Sequence, residues 1–447
     1  MEPLYFIVVF WGKRYRNWFC RYTLASLLSP NNIPSLQGVR NCRFLICTTR
    51  SDWNALQREP LFHRLRKFIE PSLILLPPVT SSAMRHKYVR MSLGHKLLTN
   101  SCFKDRAIAI YTCPDTIIPD GCVKEANRLI QGGKRVVLCT AIRFEMDGVE
   151  RDIRKGGIRK LDQPLVVSRR QAVEIGLRNL HSESRAGEWN APNFGELNPG
   201  HHQNQFPTCC YWRMSGEDGI VIFTHNWAPF AINFSTLEEH DTRSFDQWAI
   251  DGDYVYRNFK SGVLGQDIHV VNDSDSIILL GLTPRDEMAT RNVSYFWQRW
   301  PIVGQWSKGF ILNKALFSPP LDELRRSIYN IPVFWHTGEL SMKSMEPKSR
   351  AQSILNRYTK EDLSPNATLV SLTNLREVLL FLFSRRFVRF AWIAGIFYLF
   401  LPPTQMGVRK LRKSLDKKTN LPNLTFSYGS KDRVRIARRW KRIFSGD

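Results

Sequence analysis

Apolar runs of four to seven residues alternate with longer segments of mixed character through the first third of the chain. Leu4 to Phe10 is a near-continuous apolar run, the pattern of a strand covered on both faces. It stops at Trp11-Gly12, and Tyr15 to Leu28 then has helical spacing, broken by Ser29-Pro30-Asn31-Asn32. Phe44 to Cys47 is a second strand ending in Thr48-Thr49-Arg50-Ser51-Asp52. Leu61 to Ile69 is a helix, Ser72 to Leu76 a third strand, and His86 to Asn100 an amphipathic helix. A fourth strand, Ala107 to Tyr111, stops at Cys113-Pro114-Asp115. Pro119-Asp120-Gly121 is a turn, Cys122 to Gln131 a helix ended by Gly132-Gly133, and Val136 to Cys139 another buried strand. Four strand–helix alternations predict a mostly parallel central sheet wrapped by helices, in the α/β class.

Beyond Cys139 the pattern weakens. Arg143 to Asp162 is polar and glycine-containing and predicts a loop over the sheet edge, and Gln163 to Leu180 is mainly helical. Ser184 to Gln205 has the composition of an active-site loop or lid. Cys209 to Met214 and Gly219 to Thr224 predict a hairpin; Ile268 to Asp275 and Ile277 to Leu280 lead out of it. Helical segments are expected from Pro284 to Asn366.

The 447 residues exceed what one hydrophobic core usually serves. They divide into a main domain over 1–283, a helical extension over 284–370 and an apolar, basic tail over 371–447. In that tail Phe390 to Leu401 is too short to span a bilayer. Joining it to Leu372–Phe383 would bury three arginines, so a helix lying in the membrane interface is the better reading. Lys and Arg total 64 against 40 Asp and Glu, a formal charge of +24, and basic clusters from Arg409 to Arg442 suit anionic head groups. Basic and aromatic residues are not interleaved on a recognisable module, which sets nucleic acid aside as a partner. Nine scattered cysteines make no zinc spacing and suit a reducing compartment.

Several residues bear on chemistry before any family is considered. Asp115 stands at a strand end, where open α/β sheets bind ligands, and Trp11, Gly12, Thr48, Thr49 and Asp52 end the first two strands. Arg90 and His95 lie on the helix before the fourth strand, where Arg90 and Lys87 are within reach of phosphates; for Lys87 a solvated basic face is the simpler account. Asp120 also suits a helix cap. Asp251-Gly252-Asp253 places two carboxylates in a turn, with Glu238, Glu239 and Asp246 as competitors, and His225 ends the strand Gly219–Thr224.

Trp11-Gly12 after the first strand, Leu27-Leu28-Ser29-Pro30-Asn31-Asn32-Ile33-Pro34, Pro114-Asp115 with Asp120-Gly121, and His225 to Pro229 followed by Ile250 to Tyr254 together carry a resemblance. Over roughly residues 4 to 283 the chain resembles bacterial GT-A-fold glycosyltransferases of the nucleotide-diphospho-sugar transferase superfamily, family-two-like. The resemblance implies a GT-A-like, Rossmann-type sheet and transfer of a sugar from a nucleotide-diphosphate sugar to a hydroxyl acceptor, with inversion. It implies Trp11, Gly12, Thr48, Thr49, Asp52, Arg90, His95 and Asp115 around the donor, and Asp251 or Asp253 as general base. Asp115, with Asp120 or His225, would hold Mg²⁺ or Mn²⁺. The usual Asp-any-Asp is here Cys113-Pro114-Asp115, so one carboxylate of the pair is missing. The expected acceptor is a cell-surface polysaccharide or lipid-linked precursor, and the expected place is the cytoplasmic face of the membrane, held peripherally. The competing expectations are a non-catalytic relative that binds a sugar nucleotide or glycan and, ranked behind it, a nucleic-acid-binding protein.

Overall fold

The computed structural model describes residues 2–38, 41–78, 87–158, 162–191, 193–194, 209–214, 219–224, 227–246, 250, 252–259, 261–287, 323–340 and 346–358. Its centre is a seven-stranded sheet. The parallel strands β1 (Leu4–Val9), β2 (Cys42–Thr48), β3 (Glu70–Leu75) and β4 (Ile108–Thr112) form one half. β6 (Val136–Thr140), after a short β5 (Thr116–Ile117), pairs in parallel with β11 (Ile268–Val270) in the other half. Joining the halves is β10 (Trp227–Asn233), antiparallel to both β4 and β6, which makes the order β11-β6-β10-β4-β1-β2-β3. All six residues of β1 and all five of β4 and β6 are buried, as their unbroken apolar runs require.

The chain is thus an α/β protein with a mixed, mostly parallel sheet flanked by helices. The helix Lys87–Lys104 packs against β1 and β2, and Gly94 permits the approach: a Cβ there would stand 2.5 Å from Val9 Cγ1. Cys122–Gln131 buries Cys122, Val123, Ala126, Leu129 and Ile130, one helical stripe, against β6 and β10. The first helix runs through Lys13–Trp18, a π-helical turn at Phe19–Leu24, and Ala25–Leu27.

Four expectations are corrected. Residues 143–155 are not a loop: β7 (Arg143–Glu145) is followed by the helix Met146–Lys155, whose buried Met146, Val149 and Ile153 lie on one face. The described part of the expected lid is packed rather than free, since Trp189 stacks on Trp212 at 5.5 Å and Phe194 is fully buried. Residue 252 opens the helix Gly252–Phe259 where a turn was expected. The stretch after Pro284 is not wholly helical, because β13 (Val333–His336) lies between the helices Glu323–Tyr329 and Glu346–Tyr358 and pairs with β9 (Gly219–Thr224).

The expected hairpin forms from β8 (Cys209–Arg213) and β9. Its two faces serve two cores: Tyr211, Ile220 and Ile222 join the main one, while Cys210, Trp212, Val221 and Phe223 join a smaller cluster with Tyr329 and Phe334. Side chains of period two therefore couple the later segments to the main body. Among the described residues no helix is long and apolar enough to cross a membrane. The tail 371–447 lies outside the described residues.

Candidate functional site

The chain lays β1, β2 and β3 in one direction and then returns through Lys87–Lys104 to place β4 on the other side of β1. The order reverses between β1 and β4, and the crevice beyond their carboxyl ends is where such sheets bind ligands. Trp11-Gly12, Thr48-Thr49 and Cys113-Pro114-Asp115 all stand at those ends.

One wall is built around Asp52. Gly12 has φ 83, a left-handed backbone that glycine adopts without strain. Its N–H donates to Asp52 Oδ2 at 2.7 Å, Thr49 Oγ1 donates to the same oxygen at 2.7 Å, and Arg16 Nη1 donates to Oδ1 at 2.9 Å. Asp52 is 5% exposed, so the carboxylate locks the β1 and β2 turns together and places negative charge at the start of the helix Lys13–Trp18. Thr48 is fully buried; Thr49 caps the helix Arg50–Leu56, its Oγ1 accepting the Asp52 N–H. Trp11 is more open, with the Arg90 guanidinium 4.9 Å from its ring centre. Arg90 Nε is buried and has no hydrogen-bond partner among the described residues.

Asp115 stands across the crevice. Thr23 Oγ1, from the first helix, lies 2.5 Å from the Cys113 carbonyl and 2.9 Å from that of Thr116, which pins the end of β4. Asp115 itself is half-buried, and its carbonyl accepts the Leu282 N–H of β12 (Leu280–Thr283) at 2.8 Å. Desolvation there raises the carboxyl's pKa, Arg143 and Lys87 pull it down, and Glu287 pushes it up. Arg143, on β7, is held by Glu183 at 3.3 Å and Thr283 Oγ1 at 3.2 Å. Lys87 and Arg14 share Glu287, at 2.8 and 3.0 Å. Arg14, Lys87, Arg90 and Arg143 therefore give this end of the sheet a cationic lining. Cys113 is exposed beside Asp115.

The donor set around Asp115 is one carboxylate among cations. Among the described residues it belongs to no group of three metal-ligating side chains. Mg²⁺ and Mn²⁺ commonly take one or two carboxylates together with substrate phosphate oxygens. A cation here would need the substrate's oxygens as its other ligands.

The remaining candidates lie apart. Asp120 accepts the backbone N–H of Asn31 at 2.8 Å and its Nδ2 at 2.7 Å. It ties down the turn after the first helix, and Gly121, not Asp120, is the N-cap of Cys122–Gln131. His95 is buried, and burial pushes its pKa down to about 4. Its Nδ1 accepts the Ile250 N–H at 3.3 Å, anchoring that segment to the helix. Asp246 pairs with Lys96 at 3.1 Å. His225 and Asp251 lie outside the described residues, as does the side chain of Asp253, whose backbone is in the first turn of Gly252–Phe259.

Sequence reasoning missed Arg143 and Glu287, because each reaches the crevice only through pairing of distant strands. It also missed Asp273, Asp275 and His336, whose ligand-capable atoms lie within 4.8 Å of one another. His336 Nε2 is 3.0 Å from Asp273 Oδ1, while Asp275 is engaged by Arg170 at 2.8 Å, so a cation here would compete with a guanidinium. The spacing Asp273-Ser274-Asp275 was the available signal; the partner histidine comes from β13. A cavity of about 710 Å³ lined by Arg135, His240 and Arg257 opens at the amino ends of the strands and touches none of the crevice residues.

No protein-family model and no curated protein sequence matches the chain. Among solved structures it is similar to residues 1–349 of Staphylococcus aureus TarS, at 12% identity and TM-score 0.22, over 40% of this chain and 56% of that one. It is also similar to the mannosyltransferase PcManGT of Pyrobaculum calidifontis in complex with GDP-Man and Mn²⁺, at 10% identity and TM-score 0.27, over 88% and 85%. A third is a putative glucose-1-phosphate thymidylyltransferase of Bacillus anthracis, at 10% identity and TM-score 0.19, over 32% and 59%. The chain spans little more than half the length of the first and third. The second and third are transferases by description; at such scores the likenesses fix neither a family nor an activity for this chain.

Proposed function

We propose that the protein is a GT-A-type glycosyltransferase that moves a sugar from a nucleotide-diphosphate sugar to a hydroxyl acceptor. The observation that carries this reading is Asp115 at the β1/β4 switch point, faced by Arg143 and Lys87. Breaking a sugar–diphosphate bond leaves negative charge on the leaving group, and fixed cations lining the crevice stabilise it. Trp11, with Arg90 across its face, offers a surface for the nucleoside end. A bound Mg²⁺ or Mn²⁺ resting on Asp115 would add Lewis-acid stabilisation of the same charge.

In this reading Asp251 or Asp253 takes the acceptor hydroxyl's proton and the sugar is transferred by single displacement, with inversion. The acceptor is a cell-surface polysaccharide or lipid-linked precursor. The basic tail holds the enzyme at the inner face of the cytoplasmic membrane, and sedimentation with anionic but not neutral liposomes at low salt tests that placement.

The activity is tested by transfer and hydrolysis assays over a panel of nucleotide sugars, comparing wild type with Asp115→Ala and Asp251→Ala. Turnover in wild type that falls in both variants is expected. Equal turnover in all three sinks the site assignment, and binding without turnover in wild type points to the non-catalytic relative, which the exposed Cys113 in place of a second acid favours.

A further inference from the structure

We propose that Arg14 and Lys87 form a seat for the substrate's diphosphate and that Glu287 occupies this seat in the ligand-free protein, so that substrate must displace it. The proposal rests on the nucleotide-sugar reading and specifies how the crevice discriminates and is gated. Arg14 lies on the helix that leaves β1, and Lys87 opens the helix that leads to β4. They flank the switch point from its two sides, and Glu287 joins them from far along the chain. Each of its oxygens takes one partner: Oε1 is 2.8 Å from Lys87 Nζ, and Oε2 is 3.0 Å from Arg14 Nη2. Two anionic oxygens bridging two cations is the arrangement a phosphate group would make in the same place.

Lys87 and Glu287 also act on the Asp115 carboxyl, the one lowering and the other raising its pKa, so the seat lies within electrostatic reach of Asp115. Both cations remain open to solvent, with side chains 55% and 47% exposed, and Glu287 is 28% exposed. Ion pairs this open are weak and exchange readily. A diphosphate carries more charge than one carboxylate and can displace it. Glu287 is also well placed to leave: the segment behind it is held separately, by His181 on the Pro284 carbonyl at 3.2 Å and by Arg285 on Glu145 at 2.8 Å.

The test uses the full-length protein and calorimetric binding of UDP, GDP, inorganic pyrophosphate and uridine to wild type, Glu287→Gln, Glu287→Asp and Arg14→Ala/Lys87→Ala. An occluded seat lowers apparent affinity in proportion to the open fraction. Glu287→Gln is therefore expected to tighten nucleoside diphosphate and pyrophosphate binding roughly three- to tenfold and leave uridine unmoved, while Glu287→Asp stays near wild type. The double alanine variant is expected to lose more than about tenfold for every diphosphate. Unchanged or weaker diphosphate binding in Glu287→Gln, with its melting temperature near wild type, overturns the occlusion. Pyrophosphate binding that tightens in Glu287→Gln while no nucleoside diphosphate binds upholds the seat and removes the nucleotide-sugar reading. Absence of binding by every probe in every variant overturns both.

Discussion

The Asp52 carboxylate takes the backbone N–H of Gly12 at 2.7 Å, joining the turn after β1 to the turn after β2. The same carboxylate holds Arg16 at 2.9 Å with both side chains largely buried. The strand ends that frame the crevice thus have fixed spacing before any ligand arrives, which is how a rigid site spares its ligand the cost of ordering it.

Removing that carboxylate strands a buried guanidinium. Asp52→Ala is expected to cost about 3 kcal/mol in urea unfolding and to weaken nucleotide binding as the walls separate. Gly12→Ala is expected to cost only about 1 kcal/mol, because its Cβ meets nothing within 4 Å and only the positive φ resists it. Equal losses in the two variants would show that Asp52 acts through something other than this lock.

Gly94 decides how closely the helix carrying Lys87 and Arg90 lies on β1. Gly94→Ala puts a methyl 2.5 Å from Val9 Cγ1, a branched and buried side chain that cannot swing aside. The expected loss is about 1–3 kcal/mol, despite alanine's better helix propensity, and Val9→Ala in the same chain should restore part of it. Thermal denaturation of the single and double variants checks this; a Gly94→Ala protein as stable as wild type refutes the tight packing.

His95 makes stability fall in mild acid. Unfolded, it binds a proton below about 6.5; folded, burial keeps it neutral until about 4. Between those values the unfolded state holds the extra proton, so lowering the pH favours unfolding, by on the order of 3 kcal/mol once the window is crossed. His240, whose pKa burial also lowers to about 4, acts in the same direction. Unfolding free energies of wild type and His95→Gln measured from pH 7 to 4 should diverge: the variant starts lower but loses less. Parallel curves would show that His95 does not titrate differently on folding.

Arg143 should matter to turnover more than to folding, since its own side chain is 43% exposed although its partner Thr283 is buried. Arg143→Ala is expected to lower kcat/KM about 10²-fold, with Arg143→Lys recovering part, because a lysine keeps the charge but not the planar fork. Unfolding midpoints of the variants serve as the control, and an unchanged kcat/KM with any active donor removes Arg143 from the site.

Local signals carried a good part of the fold. Cys122–Gln131 was legible to the residue because both boundaries are written in its neighbours: Pro119-Asp120-Gly121 before it and Gly132-Gly133 after. β1, β2, β4 and β6 were legible because strands covered on both faces must be apolar throughout. The place of Asp115 at a strand end followed from the same pattern.

What the chain alone determined was the alternation of strands and helices, the parallel half of the sheet and the strand ends at which Trp11, Thr48 and Asp115 stand. These depend on periodicity, turn chemistry and burial over a dozen residues. Tertiary structure alone decided that β10 enters the middle of the sheet, that β13 joins β9, and that Arg143 and Glu287 face Asp115. It also decided that Asp52 and Asp120 hold turns together while His95 serves as a buried acceptor. Strand pairing and ion pairing join residues up to 273 positions apart, as in Arg14 and Glu287. The partner of such a residue is set by sheet order and helix packing, which no short window of sequence contains.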